Sequence, residues 1–260
     1  MNQRWRDRLD SFRAPDEVIN PLRYEVAAIE DDTTAKGFVE QHHYSGSYPA
    51  ARFRFGLYRG AALAGVAVFS HPASNKVLTN VFPGAALDSV ELGRFVLLDD
   101  VEGNGETWFL ARCFEQLRKA ELRGVVSFSD PLPREDRTNG RTVFAGHIGT
   151  IYQAHNAVYL GRGTARTLAL LPNGRVFSAR AAQKIRSGER GWRYSAAQLE
   201  QLGATPCPET DAARRRWLRV WSTTLCTPVR HPGNFKYAWR LHRKTALLGT
   251  PQSYPKRLTA

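Results

Sequence analysis

No run of this 260-residue sequence approaches the roughly 18 consecutive apolar residues a membrane-spanning helix needs, which removes that class of protein. The opening stretch "MNQRWRDRLDSFRAPDE" carries charge but no apolar h-region, so it does not read as a secretory signal. Cysteine is scarce. Cys113, Cys207 and Cys226 are odd in number and far apart, which argues against a disulfide scaffold or a cysteine-based zinc site and suits a reducing cytosol. No internal repeat or low-complexity segment stands out. The most informative gap is local: after Asp211 there is no acidic residue at all.

Across the same tail 11 residues are basic, among them Arg214, Arg215, Arg216, Arg219, Lys236, Arg240, Arg243 and Lys244. Trp217, Trp221, Phe235, Tyr237, Trp239 and Tyr254 are interleaved with them. Guanidinium and ammonium groups neutralise phosphates and rings stack on bases, so the pattern points to a nucleic acid. A solvated basic face or an anionic membrane surface is the plain alternative. The body differs: from Leu22 to Pro131 there are 14 acidic and 11 basic residues.

Periodicity places a strand at 23–30, a helix over "DDTTAKGFVEQHHY", a hairpin at 52–70 turning at Arg59-Gly60, and a strand at 89–98. A helix at 107–122 follows, with Trp108, Ala111, Phe114 and Leu117 near one face. The strand "GVVSFSDP" comes next, then a polar excursion, a short helix from Gly149 to about His155, and a strand through Tyr159. A second hairpin turns at Asn173-Gly174, three helices follow, and "NFKYAWRLH" alternates as a terminal strand. The order predicts an α/β (α+β) fold with a mixed sheet flanked by helices.

Three elements end in groups that move protons or hold ligands. "QHHYSGSYP" packs imidazoles, a phenol and hydroxyls where the first helix stops; a solvated polar turn is its plain reading. Glu91 and Arg94 lie three apart on a strand, which puts them on opposite faces. In "SFSDP", Ser127 and Ser129 share one face, and Phe128 and Asp130 the other, at the carboxyl end of a central strand where α/β folds bind ligands. Asp130-Pro131 also reads as an ordinary strand-ending turn.

The stretches "HHYSGSYP", "FGLYRGAALAGVAVFS", "VELGRFVL", "GNGETWFLARCFEQLRK", "VVSFSDP", "GHIGTIYQAHNAVYLG" and "NFKYAWRL", in that order, resemble the Mom family of phage DNA-adenine modification proteins. The resemblance implies a GNAT-like acyltransferase fold with a mostly antiparallel sheet. It also implies a transferase that adds a methylcarbamoyl-type group to N6 of adenine in double-stranded DNA, protecting phage DNA from restriction in the bacterial host cytoplasm. By position it implies catalytic roles for His43, Tyr44, Arg94, Asp130 and Tyr152; the strand order adds substrate contacts from Glu91, Ser127, Ser129 and Phe128, the last as a ring that could stack on the base. An iron held by His43, Tyr44 and Asp130 is a further implication.

On this reading the chain divides into a basic N-terminal segment (1–20), a GNAT-like core (21–175) and a basic, aromatic-rich helical region ending in a strand (176–260). The resemblance covers most of residues 38–162. The excursion between Leu132 and Ala145 and the region 163–230 look enlarged beside the family pattern.

One feature resists an acyl-CoA donor. The turn expected to cradle a pyrophosphate, "LDDVEGNGE", has Gly103 and Gly105 but also Asp99, Asp100, Glu102 and Glu106. Those carboxylates repel a pyrophosphate and suit the positive end of a helix. The rival readings are a GNAT N-acetyltransferase acting on a protein, a tRNA or a small amine, and a non-catalytic DNA-binding protein. "SDPL" also bears a two-position likeness to the Asp-Pro-Pro-aromatic motif of adenine methyltransferases, without the glycine turn for a methyl donor.

Overall fold

The computed structural model describes residues 16–256, Ala14, and the backbone of residues 3–6 and 9–12. The side chains of most of the expected basic segment 1–20 therefore lie outside the described residues. Its described backbone pairs β1 (Gln3–Arg6) with β2 (Leu9–Phe12) as a hairpin.

The chain forms two compact units, one of residues 1–131, 146–163 and 234–260, the other of residues 132–145 and 164–233. This corrects the division expected at 175/176. The terminal strand pairs back into the first sheet, and the excursion at 132–145 belongs to the second unit.

In chain order the first unit contains β3 (Glu25–Ala28), α1 (Asp32–His42), β4 (Ala51–Arg59), β5 (Ala62–Ser70), α2 (Lys76–Thr79), β6 (Ser89–Leu97), α3 (Gly105–Lys119) and β7 (Gly124–Ser129). The second unit's hairpin, β8 (Arg134–Asp136) and β9 (Arg141–Phe144), comes next. The chain then returns for α4 (Thr150–Ala154) and β10 (Val158–Arg162). It leaves again for β11 (Arg166–Leu170), β12 (Val176–Phe177), α5 (Ala179–Ser187), α6 (Trp192–Glu200), α7 (Asp211–Leu225) and β13 (Thr227–His231), and closes with β14 (Phe235–Arg240).

The first unit is built on a seven-stranded sheet in the order β10-β14-β7-β6-β5-β4-β3. Only β6 and β7 run parallel; every other neighbouring pair is antiparallel. This is the mostly antiparallel α/β sheet with flanking helices that the sequence predicts.

Asp31 starts α1 by accepting the Thr34 amide at 2.8 Å, which also holds its carboxyl below the usual range. Ala35 and Val39 then bury against Val66 and Val68 on one face of the sheet. The opposite face is covered by α3, which buries Phe109, Leu110, Cys113, Phe114 and Leu117. That stripe is rotated from the expected one: Trp108 and Ala111 sit at its edge, half-buried, while Phe109, Leu110 and Cys113 are buried. Each fully buried leucine or phenylalanine here contributes about 1.5–3 kcal/mol.

The second unit has its own core of Leu171, Phe177, Ile185, Trp192, Leu199, Trp217 and Leu218. Its three-stranded sheet runs in the order β12-β11-β13, and α5 packs against both α6 and α7.

Candidate functional site

The parallel pair β6 and β7 stays in register for only three residue pairs, Ser89 with Gly124, Val90 with Val125 and Glu91 with Val126. Beyond them the strands part. At the fork the Ser127 hydroxyl donates to the Leu92 carbonyl at 3.0 Å, a side-chain bond where the backbone ladder stops. Parting leaves polar backbone near the gap, which is where a sheet can present groups to a ligand.

A β-bulge on β6 shapes the gap. The register with β5 slips between Val68–Arg94 and Phe69–Leu92, leaving Gly93 as the extra residue. A side chain at Gly93 would meet Ser70 Oγ at 2.6 Å, so the bulge needs glycine. It also corrects one expectation. With an extra residue between them, Glu91 and Arg94 share a face and interact instead of pointing apart. Burial pushes the Glu91 carboxyl above its usual range, and Arg94 pulls it back.

Arg94 has a task in the fold. Its Nε donates to the Ser47 carbonyl at 2.8 Å and its Nη2 to Ser47 Oγ at 2.7 Å, which fastens the "SGSYP" turn to β6. Tyr48 in that turn donates to Asp32 at 2.9 Å. The turn is therefore a fixed structure, and the two aromatic residues before it are held in place.

His43 Nδ1 accepts the Ser45 amide at 3.1 Å and lies 2.9 Å from Ser45 Oγ, which leaves the ring proton of neutral imidazole on Nε2. Burial, then the charges of Arg94 and His147, depress its pKa well below the usual histidine value, so the ring stays neutral. His43 lies 4.2 Å, centroid to centroid, from Tyr44. The Tyr44 hydroxyl lies 3.2 Å from His147 Nε2, and the His147 amide donates to the Asp130 carbonyl at 2.8 Å. The early His-Tyr pair and the Asp-Pro strand tip are thus joined through His147.

Tyr152 completes the group. It stands on α4, packs its ring against Tyr237 at 5.4 Å and Trp239 at 5.5 Å, and contacts the Ser127 hydroxyl. Burial raises its phenol above the usual value. This five-residue helix is positioned by tertiary bonds: Tyr237 donates to the Ile148 carbonyl, and Gln153 bonds both that carbonyl (3.0 Å) and the Tyr237 hydroxyl (3.1 Å). Gly149 begins α4 with φ +76°, and a side chain there would strike Tyr237 at 2.7 Å.

Two adjoining cavities open at the fork and share His43, Tyr44, Phe95 and Ile151 in their walls. The smaller, about 70 Å³, adds His147, Gly149, Thr150 and Tyr152. The larger, about 130 Å³, adds His42, the end of β6 from Val96 to Asp99, and Glu106 at the start of α3.

Of the expected site residues, the fold gathers His43, Tyr44, Arg94, Glu91, Ser127 and Tyr152. Ser129, fully buried with its hydroxyl unpaired, follows Ser127 on the same strand face. Asp130 reaches the group through its backbone and is not among the residues lining either cavity. Phe128 does not belong as a stacking ring: it packs on the opposite face with Leu78, Phe82 and Val126. His147 and Phe95 are additions. His147 stands in the quoted motif "GHIGTIYQ", where its flanking glycines were the available signal.

The expected DNA-contacting residues also separate. Arg214 is buried, 5% exposed, and bonds the Ile185 and Glu209 carbonyls and Asp211 beneath the Trp192 ring, so it serves the second unit's core and not its surface. Arg215, Arg216 and Arg219 are exposed on α7. Arg240, Arg243 and Lys244 are exposed at the end of β14, while Lys236 is half-buried opposite Phe128.

The residues at the turn before α3 do not fit a pyrophosphate. Asp99 and Glu106 line the larger cavity, and the cations paired with this turn are already engaged, Arg59 with Asp100 and Arg23 with Glu102. Tyr24 donates to Glu102 as well, at 2.6 Å. Among the described residues no group of three or more His, Cys, Asp or Glu side chains is arranged to hold a metal. Of the implied iron set, His43 and Tyr44 line both cavities and Asp130 lines neither, so no step is routed through a metal or CoA.

A model of the Mom protein family matches residues 23–209. No curated protein matches the chain in sequence. Among solved structures it is similar to a Bacillus subtilis acetyltransferase in complex with CoA, at 9% identity and TM-score 0.34, over 84% of this chain and 97% of that one. A ribosomal-protein alanine N-acetyltransferase from Escherichia coli matches at 13% identity and TM-score 0.35, over 59% and 88%. A tandem GNAT protein from the clavulanic acid biosynthesis pathway matches at 11% identity and TM-score 0.39, over 77% and 65%. No helix among the described residues is long and apolar enough to cross a membrane.

Proposed function

Because the chain belongs to the Mom protein family, we propose that it is a phage-type DNA-modifying transferase that adds a methylcarbamoyl-type group to N6 of adenine in duplex DNA, shielding that DNA from restriction. The observation that supports this most is the convergence of His43, Tyr44, His147 and Tyr152 around one pair of cavities at the β6–β7 fork.

The chemistry sets three demands. Adenine N6 lies inside the duplex, so the nucleotide must be extruded and its ring held between flat faces. Tyr44 and Tyr152, both lining the smaller cavity, are the rings proposed to do so. The N6 lone pair is delocalised into the purine, so an acceptor for an N6–H must raise its electron density as the new N–C bond forms and the bond from the transferred carbon to its donor breaks, the donor group leaving with that electron pair. Tyr44, its hydroxyl against His147, can pass that proton to the imidazole. Asp130 accepts the His147 amide through its backbone carbonyl and so positions His147, and its carboxylate is proposed to offset the charge that His147 gains. His43, neutral with its proton on Nε2, is a donor, suited to a carbonyl oxygen of the incoming group and not to the general-base role.

Mass spectrometry of nucleosides from plasmid DNA co-expressed with the chain tests this reading. A modified adenosine carrying the added group is expected with the wild type and absent with Asp130→Asn. Unmodified adenosine in both samples contradicts the proposal. An N-acetyltransferase acting on other amines is disfavoured by the carboxylates where its pyrophosphate would lie.

A further inference from the structure

We infer that α7 of the second unit is a groove-binding helix that anchors duplex DNA through its exposed face; this rests on the DNA reading above. The second unit carries 15 basic and 6 acidic residues, a net of 15 − 6 = +9, whereas the larger first unit carries 22 and 18, a net of +4. α7 holds four of the second unit's arginines and one acid, Asp211, at its first position.

Helical spacing divides α7 into two faces. Arg214, Trp217 and Leu218 are buried, with Trp221 and Leu225 partly buried behind them. Trp217 and Trp221 are pinned through their indole N–H groups to Thr205, at 2.8 and 3.2 Å. The outer stripe is Ala212, Arg215, Arg216, Arg219, Val220 and Thr223, all exposed. A solvated helix face ordinarily mixes charges and gains from pairs three or four residues apart. This one has no acidic residue after Asp211. Among the described residues Arg216 and Arg219 have no acidic partner, and Val220 stands between solvent and arginines at 51% exposure.

Duplex DNA fits that face in shape and charge. The 15 residues of α7 make a rod about 22 Å long and about 10–12 Å across, which the major groove, about 12 Å wide, admits. Arg216 and Arg219 reach phosphates or guanine edges from such a position, and the Val220 methyls can pack on a thymine methyl. The support is rigid. α5 and α6 are joined by residues 188–191, with Gly188 and Gly191 in left-handed conformation, and α5 packs on α7. Arg214 and the Arg215 Nε bond carbonyls at the end of α5, so the cations beside the stripe hold the helix in place.

The test uses the full chain and a fluorescent duplex, with binding measured by anisotropy across a series of salt concentrations. Arg216→Ala/Arg219→Ala should weaken binding by about tenfold or more and make the log affinity–log salt slope shallower by about two. Arg112→Ala/Arg123→Ala removes the same charge from the first unit and should change affinity by less than about threefold. Unchanged binding by the α7 pair, equal loss from the control pair, or displacement by single-stranded RNA as readily as by unlabelled duplex overturns the inference. If the α7 pair binds as wild type while wild-type cells still yield modified adenosine, only this inference fails; if no modified adenosine forms, the proposed function fails whatever α7 does.

Discussion

The arginines around the first unit's cavities and those on α7 of the second are used in different ways. In the first, cations are spent on the fold: Arg94 fastens a turn, Arg54 bonds Asp32 at 2.9 Å, and Arg59 and Arg23 hold acids before α3. The result is a nearly balanced body whose cavities are lined by neutral aromatics and two carboxylates. In the second, one arginine is buried to brace three helices and its neighbours are left facing solvent without acids. Under the proposed function, chemistry on an uncharged base and attachment to a polyanion would make different electrostatic demands, and this contrast is what they would require.

The largest break in that comparison should come at the fork. Tyr44→Phe removes the hydroxyl that meets His147, and the yield of modified adenosine by mass spectrometry should fall by about a hundredfold or more while duplex affinity stays within about twofold. Next, Arg214→Ala takes three hydrogen bonds and a buried side chain from the second core. Denaturant unfolding should report a loss of about 2–4 kcal/mol, with the second unit's tryptophan fluorescence changing first.

Smaller is Gly93→Ala, which drives a methyl into Ser70 Oγ and should cost about 1–3 kcal/mol in the same assay; Ser70→Ala beside it should recover part of that loss. Smallest is Glu91→Gln. An acid whose folded pKa is raised opposes folding once ionised, so its penalty is absent below the ordinary carboxylate range and grows as pH rises through the folded pKa. The variant should raise Tm by about 2 °C near neutral pH, and calorimetry should find that gain gone in acid.

Much of the frame was legible in the sequence because local pattern dictates it. Alternation gave β4 and β5 with their turn at Arg59-Gly60, Asp31 marked the start of α1, and the four-residue spacing of Trp217 and Trp221 turns the indoles of α7 inward. What was missed depends on contacts between distant residues. A one-residue bulge at Gly93 reverses the facing of everything after it, and period-two counting cannot detect that without the partner strand. Arg214 looks like its neighbours Arg215 and Arg216 until the α5 carbonyls beneath it are known. Phe128 lost its expected role because Leu78 and Phe82, fifty residues earlier by order of magnitude, cover its face. His147 acquires meaning only when α4 is laid against Tyr44.

The division of labour is tested most directly by single-turnover modification of a duplex at saturating protein concentration. Tyr44→Phe should stay slow however much protein is added, while Arg216→Ala/Arg219→Ala should regain the wild-type rate once its weaker binding is overcome. A full rate from Tyr44→Phe, or a persistently slow rate from the α7 pair when all the DNA is bound, would contradict the account.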